Sequence, residues 1–451
     1  MRRSLAFLAL AALSVLAALP ALAVEPLTLA RALRQAGATS VQADAARLSM
    51  ASAGEDSAQV KALYLPEFNF TGGFRALDQR PELLSQPMHL GFLSVPSQVF
   101  PIEEKDSWRY KASLQYLVWD FGKRGSALTA NRAKEEAVGF AGSAEIRKGQ
   151  SETASRYFAL LNLKAQKRVV AQRREALESH LKNVKALFEH GVVARNDLLR
   201  TEVALRSVED MDRALDQGYA ASLEALNVGM GFSGTTPQAL PEELAGPPQL
   251  LWDEAACRTK AGETNESVRA QQARVKALES QTTFRRREFL PNVVAEASHT
   301  YAQNRFMSHE HESALSLGLS WKIFDGGIRS AKVRQSNCET ERARRDLLEV
   351  QRLAESGAAA ALRAFRQFLR EVDTSRENVK AAEENLRIVS DQYQEGLVHT
   401  TDVLDAESVL AESRSALAER RYRAYSQQVT LLAVLGEDLP AFYESTTSLE
   451  K

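Results

Sequence analysis

Apolar residues along this chain keep two different periods. Over long stretches they recur every seven positions. Leu163, Val170, Leu177 and Val184 form one such seam; Phe365, Val372, Val379, Leu386 and Tyr393 form another, with Phe368, Ala382 and Val389 beside it. Sustained spacing of this kind predicts coiled-coil packing rather than a globular core. Of the 13 prolines, none lies between Pro101 and Pro237 or between Pro291 and Pro440, so both stretches can run as very long helices. From about Gly125 to Gly191 one helix would extend roughly 100 Å. Before each long helix the period drops to two. Trp108, Tyr110, Ala112, Leu114, Tyr116 and Val118 alternate with Arg109, Lys111, Ser113 and Gln115; Leu315, Leu317, Leu319, Trp321 and Ile323 alternate with Ser316, Gly318, Ser320 and Lys322. Weaker alternating partners precede them: Phe68, Phe70 and Phe74 after Pro66, and Val293, Ala295, Ala297 and Tyr301 after Pro291. The pattern predicts two hairpins, each with one apolar and one polar face.

The two halves are copies. Phe188, Gly191, Asp197, Leu199 and Glu202 are matched by Tyr393, Gly396, Asp402, Leu404 and Glu407 at a constant offset of 205 residues. The same offset relates Trp119-Asp120-Phe121-Gly122 to Phe324-Asp325-Gly326-Gly327, and Leu226 and Gly231 to Leu431 and Gly436. Each copy of the first motif predicts a helix end, a tight turn at the glycine and a new helix whose first turn holds an aspartate. Pro66 and Pro291 differ by 225, so the first hairpin carries about twenty extra residues, with Pro81, Pro87, Pro96 and Pro101, in a long loop. The organisation predicted is a first repeat over 24–231, a linker over 232–249, a second repeat over 250–436, and a tail over 437–451 without a legible pattern. The linker end of this division follows from a run of glycines and prolines between Gly229 and Pro248.

Isolated hairpins are unstable in water, and four strands cannot close a barrel. Alternation with an aromatic-rich apolar face suits a membrane barrel, which must then be shared: three chains would supply twelve strands. A water-soluble sheet packed on the helices is the alternative, but the coiled coils leave no broad apolar face to cover it. The fold class expected is therefore an α+β membrane protein.

Composition adds little, with 44% hydrophobic and 25% charged residues and a net charge of -1, and it gives no sign of nucleic-acid binding. Residues 1–23 have the form of a secretory signal: Arg2-Arg3, an apolar run from Leu5 to Leu19, and Ala21-Leu22-Ala23. Cys257 and Cys338 lie far apart in helical contexts and suggest neither a disulfide nor a zinc site. His309-Glu310-His311, with His299 the nearest further histidine, reads as a solvated loop rather than a metal site. The six methionines form no cluster. Phosphate loop, nucleophile elbow and triad patterns are missing, so neither an enzyme nor a cofactor is implied. Val192, Val193, Leu397 and Val398 are apolar residues at turns, where contact sites are expected.

From Leu27 to Gly436 the chain resembles the TolC family of outer-membrane channel proteins. The residues carrying the likeness are Leu27-Thr28-Leu29-Ala30, Tyr64-Leu65-Pro66 and Phe289-Leu290-Pro291, the two Asp120 and Asp325 turns, and the two glycine turns. The resemblance implies a homotrimer in the outer membrane of a Gram-negative bacterium. It would have a 12-stranded β-barrel in lipid and an α-helical barrel crossing the periplasm. The tips, Gly191 with Val192 and Val193 and Gly396 with Leu397 and Val398, would dock a periplasmic adaptor and through it an inner-membrane transporter. By resemblance, Asp402 and Asp405, three apart on one helical face, ring the narrowest point of the pore. A plain helix-start role for Asp402 is the alternative; the first copy has Arg200 where the second has Asp405. Tyr393 and Asp197 match family residues that hold the tip closed. The family's type member has an arginine two positions after the second tip glycine; here Val398 leaves that latch without its arginine. The function implied is the exit duct of a tripartite efflux system for small toxic compounds. A duct for protein secretion and a periplasmic coiled-coil scaffold without a barrel are the other readings.

Overall fold

A computed structural model describes residues 26–242, 244 and 252–448. The expected signal peptide with residues 24 and 25, residues 243 and 245–249 of the expected linker, the first two residues of the expected second repeat (250 and 251) and the last three residues lie outside the described residues.

Helices of matched length recur in the two halves. The first half has α1 (Leu29–Thr39), α2 (Val41–Ala62), α3 (Lys123–Glu189) and α4 (Arg195–Gly229), of 11, 22, 67 and 35 residues. The second has α5 (Glu254–Thr264), α6 (Glu266–Arg287), α7 (Ile328–Gln394) and α8 (Thr400–Val434), again of 11, 22, 67 and 35 residues. The starts of α1 and α5 are capped alike. Thr28 accepts the Arg31 N–H and Asp253 the Ala256 N–H, each satisfying a donor the helix cannot. Gly231 (φ 81°) and Gly436 (φ 73°) close α4 and α8 in the left-handed region. Only glycine fits there. A Cβ at Gly231 would overlap the Thr39 carbonyl oxygen, and one at Gly436 would come within 2.6 Å of the Thr264 carbonyl oxygen.

The chain divides into two compact units. In the first (1–47, 142–266 and 351–451), Tyr157, Phe158, Leu160 and Leu161 of α3 pack with Leu33, Leu226, Met230 and Leu432. Phe158 stacks on Tyr425 with ring centroids 5.5 Å apart. A second cluster joins Cys257 and Ala261 to Leu362, Phe365, Leu431 and Leu435. The heptad seam on α3 is buried at Val170, Leu177 and Val184. On α7 it is buried at Phe365 and Val372 and only half-buried from Val379 to Tyr393. The tail over 437–451, in which no pattern was expected, forms a helix, α9 (Leu439–Ser448), held by Asp438 accepting the Ala441 N–H. Leu439, Phe442 and Tyr443 bind it to the first core.

The second unit (48–141 and 267–350) contains the strands. β1 (Glu67–Ala76), β6 (Asp106–Trp119), β7 (Asn292–Ala302) and β8 (His311–Ser320) form one antiparallel sheet in the order β1-β6-β7-β8. Thus β6 pairs with β7 and unites the two hairpins, with a bulge between Leu117 and Trp119; β1 and β8 are the sheet edges. The long loop of the first hairpin is itself structured. It holds two short ribbons, β2 (Glu82–Leu84) with β5 (Val99–Pro101) and β3 (Met88–Leu90) with β4 (Leu93–Val95). The last strand stops earlier than its alternation implies. β8 ends at Ser320, and the Trp321 indole N–H instead donates to the Phe289 carbonyl at 2.8 Å.

Candidate functional site

Up to the bulge at Leu117 the registers place the alternating apolar residues of the four strands on one side of the sheet. Phe68, Phe70 and Phe74 lie opposite Leu114, Ala112 and Trp108; Leu114 lies opposite Ala297, which lies opposite Leu315. This face is open: Leu315 is 85% exposed and Phe68 67%. Burial alone would stabilise each such side chain by about 1.5–3 kcal/mol, so so many left bare call for an apolar environment. Aromatic residues concentrate at both ends. Phe74, Trp108, Tyr110 and Tyr301 form a chain of ring contacts at one end, with centroids 5.2–6.0 Å apart. Trp119 and Phe121 meet edge to face near the other, and Phe324 is the equivalent of Trp119 in the second repeat. Two aromatic bands about ten residues apart match the bilayer interfaces that flank a membrane strand. The opposite face is polar and charged; Lys111 pairs with Glu296 at 3.0 Å. Near the sheet end, Glu103 of the long loop pairs with Arg109 and Arg75, and Glu104 with Arg305. His311 stands in β8 rather than in a loop, and its Nδ1 lies 3.3 Å from Nε2 of His299.

At the strand exits the structure reveals a pair of buried clamps. Asp120 accepts the Gly122 N–H at 3.0 Å through one oxygen; its other takes the Arg124 main-chain N–H at 2.6 Å and Nε–H at 3.1 Å. Asp325 does the same with Gly327 and Arg329. Each arginine also donates to a main-chain carbonyl, of Leu63 or Glu288, and lies over the ring of Tyr64 or Phe289. So the Tyr64-Leu65-Pro66 and Phe289-Leu290-Pro291 entries are tied to the exits by one arginine each. Sequence reading took in the aspartates but not Arg124 and Arg329, although their separation of 205 was the available signal. Lys123 and Arg287 tie the joints of the two halves together, donating to Leu290 and Gly122 carbonyls. Burial is the largest single influence on the Asp120 carboxyl and pushes its pKa up. The main-chain N–H groups of Arg124 and Gly122 and the Arg124 charge outweigh it and hold the pKa below the usual range.

The tips belong to the first unit. Gly191 (φ 72°) and Gly396 (φ 74°) turn the chain. The Val192 and Leu397 N–H groups return to the Leu187 and Gln392 carbonyls, both at 2.9 Å. Val192 and Leu397 are bare, 68% and 69% exposed, while Val193 and Val398 are half-buried. Asp402 acts as a helix-start residue, its Oδ2 accepting the His399 N–H at 2.8 Å. Asp405 is exposed and lines a groove with Leu199, Arg200, Val203, Thr401 and Leu404. Arg200 crosses that groove to donate to the Thr401 hydroxyl at 3.0 Å. The Tyr393 hydroxyl receives a hydrogen bond from Thr400 at 3.2 Å, and its ring packs on His180 with centroids 5.1 Å apart. Within the chain Asp197 is not its partner; Asp197 sits in the first turn of α4, where its carbonyl accepts from Thr201. His180 Nε2 is buried and has no hydrogen-bond partner among the described residues, and burial lowers the ring's pKa. Glu407 is pushed up by burial, against the charges of Arg173 and Arg414.

An open-edged sheet with a lipid-suited face, together with long coiled-coil helices ending in bare apolar turns, defines an outer-membrane channel class. Residues 29–231 and 258–437 match the outer membrane efflux protein family, and the chain belongs to it. It is 23% identical over 303 residues to outer membrane protein TolC of Escherichia coli (strain K12), a match covering 63% of this chain and 60% of TolC. The alignment therefore spans less than two thirds of that relative. Among solved structures, the outer membrane protein VceC of Vibrio cholerae has a TM-score of 0.71 at 18% identity, covering 91% of this chain and 96% of VceC. CusC, described in connection with transmembrane channel formation, has a TM-score of 0.75 at 16% identity, covering 92% of this chain and 93% of CusC. The shared architecture is that of an outer-membrane channel.

Proposed function

We propose that the chain is the exit duct of a tripartite efflux system, passing small molecules such as toxic compounds out of the cell. The observation that carries this is the four-stranded sheet, apolar on one face, polar on the other and unpaired at β1 and β8. Closing it without leaving edges requires further copies, and three chains complete a barrel of twelve strands with the charged face inward. In this reading Asp402 and Asp405 ring the pore constriction, and Tyr393, with Asp197 as the neighbouring tip contact, restrains its opening. Gly191, Val192, Val193, Gly396, Leu397 and Val398 dock a periplasmic adaptor, which links the duct to an inner-membrane transporter. Purified protein should run as a heat-modifiable trimer and give discrete conductance steps in planar bilayers. A soluble monomer without conductance would overturn the reading. Leu397→Asp should abolish export and leave assembly intact; loss of the trimer with this change would remove the docking role.

A further inference from the structure

We infer that Arg200 is a specificity-determining residue of the pore, offsetting part of the negative charge of Asp402 and Asp405. The inference rests on the reading of those aspartates as the constriction. Arg200 occupies the place in the first repeat that Asp405 holds in the second. The fold brings these unlike positions together, because α4 and α8 run beside one another and both residues line the same groove. The guanidinium donates to the Thr401 hydroxyl at 3.0 Å, and Thr401 immediately precedes Asp402.

That contact fixes where the charge sits without neutralising it. Among the described residues Arg200 has no carboxylate partner, since its bond goes to a neutral hydroxyl. An arginine stays protonated at every relevant pH. Its field reaches about 10 Å at 0.1 M salt, well beyond the one-residue step from Thr401 to Asp402. Asp402 and Asp405 are both exposed, as is Arg200, so none of the three charges is hidden in a core. Of these three exposed residues each chain contributes two carboxylates and one guanidinium, with Asp197 half-buried in the first turn of α4. The net is one negative charge instead of two. A weakly cation-selective constriction follows, and removing Arg200 doubles the charge that each chain presents.

The test is the reversal potential of the assembled channel in a KCl gradient, with La3+ block measured on the same channels. Arg200→Gln keeps a donor for Thr401 and removes the charge. It should raise the cation-to-anion permeability ratio about threefold and lower the half-blocking La3+ concentration about fivefold, the direction set by the added net charge. Arg200→Lys should restore the wild-type values. Asp402→Asn with Asp405→Asn should remove the cation selectivity and leave the guanidinium opposed only by Asp197; adding Arg200→Gln should shift the channel back toward cations. If the double aspartate change abolishes selectivity while Arg200→Gln alters nothing in either background, the inference is wrong and the aspartate constriction stands. If the aspartate change itself has no effect, the constriction reading fails and takes the inference with it. If Thr401→Val shifts selectivity as far as Arg200→Gln, and Arg200→Lys fails to restore it, Arg200 is only a strut between helices.

Discussion

Changing Asp120 to Asn alters one atom of the first exit clamp and leaves its shape intact. The carboxylate now accepts three N–H bonds, one from Gly122 and two from Arg124. An amide can present its oxygen to only one side, so whichever way it turns, a donor meets a donor. The pair is deeply placed, with side chains 9% and 8% exposed. Breaking a buried pair from one side costs about 3–5 kcal/mol. Arg124 keeps its bond to the Leu63 carbonyl and its place over Tyr64, so the lower end, about 3 kcal/mol, is expected. Urea unfolding of the detergent-solubilised protein, followed by tryptophan fluorescence because Trp119 adjoins the clamp, would measure it. Singles Asp120→Ala and Arg124→Ala, combined in a cycle, should couple by about 1–3 kcal/mol. The pH dependence has a definite sign. The folded carboxyl titrates below its unfolded value of 3.8, so its stabilisation is complete above that pH and lost as pH falls through the folded pKa. The Asn variant should lack that acid-dependent loss. Strictly additive singles, or a cost for Asn under about 1 kcal/mol, would refute the clamp as an energetic device.

Leu317→Arg places a charge on the apolar face and should cost about 2–4 kcal/mol near the bilayer centre, lowering trimer yield, whereas Ser316→Arg on the polar face should be tolerated. Equal losses on both faces would contradict the membrane assignment. His180 has a folded pKa below its unfolded value, so the stability it contributes is present above about pH 6.5 and lost as pH falls below it. Hydrogen-exchange protection factors at the tips of α3 and α7, corrected for the intrinsic pH dependence of exchange, should therefore fall at pH 5.5, and His180→Phe should remove the change. Tyr393→Phe should raise single-channel conductance at either pH by releasing Thr400; unchanged conductance would separate Tyr393 from closure.

The parts of this fold legible in the sequence are those set by short-range rules. The seven- and two-residue periods marked the long helices and the four main strands, because they record which side of each element is apolar. The glycines at 191 and 396 marked the turns because left-handed backbone selects them. What escaped depends on partners far apart in sequence. Arg124 and Arg329 are unremarkable helix residues until the exit aspartates fold onto them. The Arg200 bond to Thr401 and the Thr400 bond to Tyr393 are set by side-chain reach across packed helices, which no spacing encodes. The ribbons of the long loop have strands of three residues, too short for an alternation to show. The tail helix did carry a signal, Asp438 as cap with Pro440 in its first turn, but one short helix gives little periodicity to see. At Asp402 the helix-start role is what the single chain displays.

The bare edges β1 and β8 also govern how this protein can be made. A chain that has met no other copy presents two rows of unpaired main-chain groups beside a greasy sheet face, the arrangement that templates indiscriminate strand addition. In the proposed trimer the last bonds of the sheet form between molecules, which makes native pairing a matter of mass action. Slow delivery favours capture by the wrong neighbours, and crowded delivery favours aggregates over ordered closure. On the proposed assembly, newly exported chains need shielding until lipid and sister chains are both at hand. Changes that leave every contact within one chain untouched, yet alter its synthesis rate, should still decide how much working channel reaches the membrane.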